Sequence, residues 1–358
     1  IASLLTFVLR SLTYQNRIGR LSEFINSSGT SGMLDAYGQV KHLFGDKWKT
    51  NFGLHLSYLA LSQDLSLEPR AGISYEPDDK NKFGIASGIY SRMEPVALYF
   101  AKNEQADGSV IRSNESLELT KSLHLILSYE RIFSSLLKFK AEAYYQHLYD
   151  VPVTVNPEVN FSSLNVSDAY FFFNNNYGVL NNSGQGRNIG LDLSLERSFS
   201  RGFYLLSNAS VFQSTFNSQT GQKFSTTFNG NYSANLLAGK EFKAGPDRKN
   251  VWGINAKILL NGGRRYSPIN LEESIRQDYP VIYEDRVNTL QAPAYFRIDA
   301  SATYRVNMPK VSHLFYLDIQ NLTNRENIRE LFYNADDYKI DTIYYTGLIP
   351  TFNYKIEF

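Results

Sequence analysis

Residues able to do chemistry are scattered along this 358-residue chain without assembling into a reactive group. The five histidines, His42, His55, His124, His147 and His313, form no close pair at metal-ligand spacing, and there is no cysteine to build a structural zinc site. Gly184-Gln185-Gly186-Arg187-Asn188-Ile189-Gly190 looks like a nucleotide fingerprint, but its third glycine falls one place late and no helical pattern follows. A GxSxG nucleophile elbow does not occur. The expectation is no catalysis, no metal and no cofactor. Two stretches could instead hold a ligand. Asp150 to Arg187 contains Phe161, Tyr170, Phe171, Phe172, Phe173 and Tyr177 among Asn174, Asn175, Asn176, Asn181 and Asn182. Aromatic faces supply apolar contact and amides supply orientation, which suits a sugar or a siderophore. The same aromatics could simply pack the loop onto its support. Gly262 to Pro293 sets Arg264, Arg265, Arg276 and Arg286 against Glu272, Glu273, Glu284 and Asp285. Arg264 and Arg265 could attract an anion, or the charges could pair within the loop. The candidate ligand contacts are therefore Phe171, Phe172, Phe173, Tyr177, Arg264 and Arg265.

The elements that must position these loops announce themselves by period two. Phe352, Tyr354, Ile356 and Phe358 fall on one face of an extended strand, with Asn353, Lys355 and Glu357 on the other. Phe52, Leu54, Leu56 and Tyr58 oppose Asn51, Gly53, His55 and Ser57; Ile189, Leu191, Leu193 and Leu195 oppose Asn188, Asp192, Ser194 and Glu196. Similar rows run through Leu119–Tyr129, Trp252–Leu260 and Phe296–Tyr304. No sustained 3.6 period occurs, so the chain is all-β. An apolar row backed by a charged row suits a wall between hydrocarbon and water. Many strands run ten to fifteen residues, longer than the usual soluble strand and long enough to cross a bilayer at a tilt. No run of eighteen apolar residues offers a transmembrane helix, and a β-barrel needs none because its alternating rows average out. Aromatics gather near strand ends at Tyr144, Tyr145 and Tyr149, at Phe199, Phe203 and Tyr204, and at Tyr295 and Phe296, as interfacial girdles do. Charges such as Arg297, Asp299, Arg305, Lys138, Lys140, Glu142, Asp192 and Glu196 then face a wet interior. A formal charge of +1 gives no reason to expect nucleic acid.

The connections set the topology. Short turns near residues 45–47, 77–80, 134–135, 201–202, 245–247 and 308–310 alternate with mostly longer connections near 15–30, 63–65, 94–116, 151–185, 217–223, 263–293 and 323–343. Short periplasmic turns alternating with longer extracellular loops are characteristic of an outer-membrane barrel of a Gram-negative bacterium. The tally is about fourteen strands: 3–14, 31–44, 48–62, 66–76, 82–93, 117–131, 137–150, 187–198, 203–216, 224–242, 250–262, 294–306, 312–322 and 344–358. The expected fold is one domain over 1–358, a transmembrane antiparallel up-and-down β-barrel. The closing row Tyr354, Ile356 and Phe358 is the expected assembly signal for the barrel-assembly machinery, and the first residue, which is not Met, suggests that the chain starts inside a longer protein.

Five short motifs occur in a telling order. Leu67-Glu68-Pro69-Arg70 precedes Gly262-Gly263-Arg264-Arg265-Tyr266-Ser267-Pro268, then Gln291-Ala292-Pro293-Ala294-Tyr295-Phe296-Arg297-Ile298-Asp299, Leu317-Asp318-Ile319-Gln320-Asn321-Leu322-Thr323-Asn324 and Tyr354-Lys355-Ile356-Glu357-Phe358. This series resembles the barrel strands of TonB-dependent receptors, especially of the Bacteroidetes type. The resemblance implies a 22-stranded barrel closed by a plug domain, with energised import of a scarce extracellular nutrient such as a siderophore or oligosaccharide. About fourteen of those strands are present here, and the plug through which the periplasmic TonB complex acts is not, so the chain looks like the C-terminal part of a receptor. The other expected partners are outer-membrane lipid and lipopolysaccharide. Asn321 and Asn324 are expected to bond backbone in a turn. A self-contained passive channel of about fourteen strands is the alternative.

Overall fold

A computed structural model describes residues 2–15, 21–101, 103–104, 109–166 and 178–358. Fourteen long strands follow one another in a single antiparallel meander. They are β1 (Ala2–Gln15), β2 (Leu21–Phe44), β3 (Trp48–Leu59), β4 (Asp64–Tyr75), β5 (Asn81–Arg92), β6 (Thr120–Ser134) and β7 (Leu137–Thr154). Then come β8 (Leu180–Ser200), β9 (Phe203–Asn217), β10 (Tyr232–Ala244), β11 (Asn250–Asn261), β12 (Tyr295–Asn307), β13 (Ser312–Gln320) and β14 (Ile349–Glu357). The sheet stays open, with β1 and β14 at its two edges. Among the described residues, no helix is long and apolar enough to cross a membrane, which says nothing of strands.

The burial pattern is inverted relative to a soluble sheet. On β3 the apolar row Phe52, Leu54, Leu56 and Tyr58 is exposed, while Ser57 on the opposite face is buried. Leu123, Leu125 and Leu127 on β6 and Ile189, Leu191 and Leu193 on β8 repeat the arrangement. In water such a surface would be costly, at roughly 25 cal/mol for each Å² of apolar area left wet. Hydrocarbon removes that cost. The fully buried apolar side chains instead gather at the loop end: Leu59, Leu98, Tyr99, Phe100, Leu117 and Leu119 form one cluster, and Phe216, Phe224 and Val287 another. The core of this molecule is thus a packed mouth rather than a filled centre.

The short-turn rim carries an aromatic girdle written by register. Trp48 lies opposite Tyr75, Phe83 opposite Tyr129, Trp252 opposite Tyr304 and Phe315 opposite Tyr354, with ring centroids 4.4, 4.9, 4.3 and 5.1 Å apart. Amphipathic rings at this level anchor the wall at the headgroups. These residues, more than the expected Tyr144 and Tyr295, make the belt; Tyr144 faces inward. Turn chemistry on the same rim is local. Asp78 accepts the backbone N–H groups of Lys80 and Asn81 at 2.8 Å each, and the Asn81 amide and these N–H groups hold its carboxyl below the usual range.

Several boundaries differ from the sequence expectation for physical reasons. β2 and β8 begin well before residues 31 and 187 because they rise beyond the bilayer, where no lipid row enforces alternation. The expected strand 224–242 is broken. Lys223–Ser225 folds back onto β9, residues 226–231 turn with Asn231 at φ 71°, and β10 starts only at Tyr232. The last strand starts at Ile349 because Ile328–Asn334 and Lys339–Tyr344 form a hairpin of their own within the preceding loop. A helix unforeseen by periodicity, Leu271–Gln277, sits between β11 and β12. Asn270 caps it, its Oδ1 accepting from the Glu273 backbone at 3.1 Å, and Asn270 followed by Glu273 was the readable signal.

Candidate functional site

The inner wall has two unlike stretches. On β3 to β6 the charges are largely paired with one another. Glu68 is 1% exposed and accepts from Arg70 Nη2 at 2.6 Å, from the Ser91 hydroxyl and, at 3.1 Å, lies against His55 Nδ1. Arg70 in turn covers the Tyr90 ring at 4.2 Å. Lys121 bridges Asp150 at 2.9 Å and Asp64 at 3.9 Å. The Glu68-Pro69-Arg70 motif is a cross-strand clamp on the wall.

On β7 to β9 the inner wall opens into a cavity of about 510 Å³. Tyr144, Phe212 and Phe228 give it aromatic surface, and Gln146, Asn188 and Asp192 give it polar tips. Asn188 Nδ2 donates to Gln146 Oε1 at 2.9 Å. Glu142 and Asp192 stand directly opposite each other across β7 and β8. Lys140 pairs with Glu142 at 2.7 Å, whereas no hydrogen bond or ion pair reaches Asp192 among the described residues. Gly190 is required here. A Cβ on it would lie 2.5 Å from the Tyr144 hydroxyl, so its absence lets the phenol ring lie across β8.

The loops above are knitted together. A Cβ on Gly262 would sit 1.6 Å from the Gly230 carbonyl oxygen, so only two glycines permit this approach of the 226–231 turn to the end of β11. That contact brings Phe228 beneath Arg264, whose guanidinium lies 5.3 Å over the ring. Beyond Arg264 a second cavity of about 360 Å³ is lined by Tyr295 and Tyr345, whose rings meet edge to face at 5.5 Å. Asn160 joins a third segment: its backbone N–H donates to Glu284 Oε2 at 2.7 Å and its amide to the Glu284 carbonyl at 2.8 Å. Burial pushes the Glu284 carboxyl up, partly offset by the Asn160 bond.

An inside-out sheet, a polar inner wall and long loops on one rim coincide with a sequence match over residues 9–322 to the family described as TonB dependent receptor-like, beta-barrel. The chain belongs to this family, and it is an outer-membrane β-barrel. No curated protein matches it. Among solved structures it is similar to the ferric yersiniabactin uptake receptor FyuA from Yersinia pestis, at 15% identity and TM-score 0.59 over 91% of this chain and 45% of that one. The ferric-catecholate import receptor Fiu from K12 E. coli gives 14% identity and TM-score 0.61, over 94% and 46% of the two chains. The ferripyoverdine receptor of Pseudomonas aeruginosa gives 12% and 0.62, over 91% and 38%. The chain thus spans less than half the length of these receptors.

In this receptor barrel the candidate residues part company. Arg264 is exposed; it lines the second cavity and lies over Phe228, which lines the first. Arg265 is already engaged, donating from Nε to the Asn229 carbonyl and from Nη2 to Asn231 Oδ1, both at 3.0 Å, so it fastens the loops. Arg276 pairs with Glu273 within the helix, as internal pairing of the loop charges requires. Phe171, Phe172, Phe173 and Tyr177 lie outside the described residues. Asn321 and Asn324 adopt φ 51° and 48°, and Asn321 Nδ2 donates to the Arg325 carbonyl at 3.0 Å, making the expected turn. Tyr354 and Ile356 are exposed on the outer face of β14. Most expected lumen charges pair within the wall itself: Arg297 with Asp299 at 2.6 Å, Lys138 with Glu130 at 3.1 Å and Arg305 with Glu357. Sequence reading missed Tyr144, Phe212 and Phe228; only the inward parity of Tyr144 and Phe212 could have pointed to them.

Proposed function

We propose that this chain is most of the barrel wall of a TonB-dependent transporter that imports a scarce nutrient. A plug supplied by the rest of the receptor would occupy the inner wall, and the periplasmic TonB complex would act on that plug. The observation carrying this reading is the open sheet with hydrocarbon-suited Leu and Phe rows outside and a hydrated, charge-lined surface inside. Two free edges also argue against a self-contained channel of fourteen strands, because unpaired backbone groups are not tolerated in lipid. Extracellular ligand would first meet Arg264 and the segment holding Phe171, Phe172, Phe173 and Tyr177, with lipopolysaccharide phosphates around the loops. The Tyr354, Ile356 and Phe358 row would be read by the barrel-assembly machinery.

The test is nutrient uptake in a strain lacking the gene and in one lacking TonB. Both deletions should abolish high-affinity uptake of the same compound. Uptake that survives loss of TonB would point to passive diffusion and reject the reading.

A further inference from the structure

We infer that the outer face of the short-turn rim, where β8, β9 and β10 meet, holds a phospholipid with a net-negative headgroup through Arg197 and Lys240. The inference rests on the barrel's place in the outer membrane and not on import. Arg197 continues the outward row of Leu193 and Leu195 on β8, and Lys240 that of Leu236 and Ala238 on β10, each at the end of its row nearest the short turns. One ring links the two cations. The Arg197 guanidinium lies 4.7 Å over Phe203 on β9, and Phe203 is registered directly against Lys240. The turn joining β8 to β9 is docked onto β10: the Arg201 carbonyl accepts from Lys240 Nζ at 3.1 Å, and the Gly202 carbonyl accepts from the Glu241 N–H at 2.6 Å. That docking brings a third cation, the exposed Arg201, to the same corner.

Among the described residues, no carboxylate pairs with Arg197, Arg201 or Lys240. The nearest acids in sequence, Glu196 and Glu241, take the inward parity, and Asp247 in the next turn pairs with Lys249 at 3.2 Å. A lipid-facing cation is costly at mid-bilayer and costs little at the headgroup level, which long stems let the charged heads reach. Short turns are periplasmic, so the headgroups at this level belong to the periplasmic leaflet. A phosphodiester accepts charge-assisted bonds from guanidinium and ammonium alike. A zwitterionic headgroup brings an ammonium of its own, which the three cations repel; a net-negative headgroup does not. The outward rows then continue as Leu205, Leu236 and Ile254, a surface for the acyl chains. Phosphate and hydrocarbon are met together, which selects a lipid over a free phosphate.

The measurement is native mass spectrometry of the full-length receptor in detergent micelles, titrated with phosphatidylglycerol and separately with phosphatidylethanolamine of the same acyl chains. The first phosphatidylglycerol should bind about fivefold tighter or more than the first phosphatidylethanolamine. Arg197→Gln and Lys240→Gln should each weaken phosphatidylglycerol binding about fivefold, and the double variant about twentyfold. Lys310→Gln, in the exposed turn between β12 and β13, should leave it unchanged. Heat-modifiable gel mobility verifies that each variant is folded, and either single variant serves where the other is not. Equal affinity for the two lipids overturns the inference. So does an equal loss in Lys310→Gln, which would mean diffuse attraction to the whole rim. Full displacement by glycerophosphoglycerol, the headgroup without chains, would reduce the site to a phosphate site and reject the lipid. Tighter binding of lipopolysaccharide, weakened by the same variants, would reject the periplasmic leaflet as its source.

Discussion

On β3 to β6 the inner wall closes its charges upon one another, whereas on β7 to β9 it leaves one open. Glu68 has Arg70, Ser91 and His55; Asp192 has Glu142 across from it and, among the described residues, no hydrogen bond or ion pair. Both carboxylates sit on strands of the same sheet, at inward positions of the same alternation. The difference lies in what surrounds them. Tyr90 and Arg70 fill the space around Glu68, but Gly190 and the flattened Tyr144 ring leave space beside Asp192. Carboxylates paired within the sheet hold a wall together, and one left facing open volume remains accessible to water.

The largest expected effect tests the closed stretch. Glu68→Ala removes the acceptor for Arg70 and should cost roughly 3–5 kcal/mol, read as a lowered midpoint in urea unfolding from lipid vesicles. An unchanged midpoint would remove the structural role assigned to that clamp. Next comes the outer face behind it. Leu54→Arg places a charge against acyl chains and should cost about 2–4 kcal/mol in the same assay, unlike a charge introduced on the inner face. Gly262→Ala forces the 226–231 turn away from β11 and should cost about 1–3 kcal/mol, with faster amide exchange at residues 226–231 as the local readout.

A smaller effect concerns pH. Burial raises the Glu284 carboxyl above its ordinary value of 4.5 despite the Asn160 N–H bond, which favours the ionised form, so the buried position of the side chain is most stable when it is protonated. That contribution is complete below the ordinary value and is lost as pH rises through the raised one. Amide exchange at Asn160, corrected for intrinsic rate, should be better protected at pH 4 than at pH 7, and Glu284→Gln should flatten the difference. The smallest expected change is at the open stretch. Asp192→Asn relieves repulsion from Glu142 and should stabilise the wall by about 0.2–1 kcal/mol; destabilisation would mean that Asp192 has a structural partner after all.

The number and order of strands were legible because lipid imposes alternation on every residue that touches it. Rows such as Ile189, Leu191 and Leu193 leave no other register. Legibility faded where lipid stops. The polar start of β2 read as a loop, and the turn at Gly230 and Asn231 was hidden within an apparently continuous strand. Arg264 and Arg265 were indistinguishable as adjacent cations until the fold gave one to Asn229 and Asn231 and left the other over Phe228.

By itself, then, the sequence determined the solvent on each side of the wall, because side-chain parity is a local property of each strand. Only the tertiary structure decided where that wall is closed and where it is receptive. Tyr144, Asp192, Phe212 and Phe228 come from separate strands and a loop, and their meeting depends on register and on two glycine contacts. No spacing within one segment encodes that meeting.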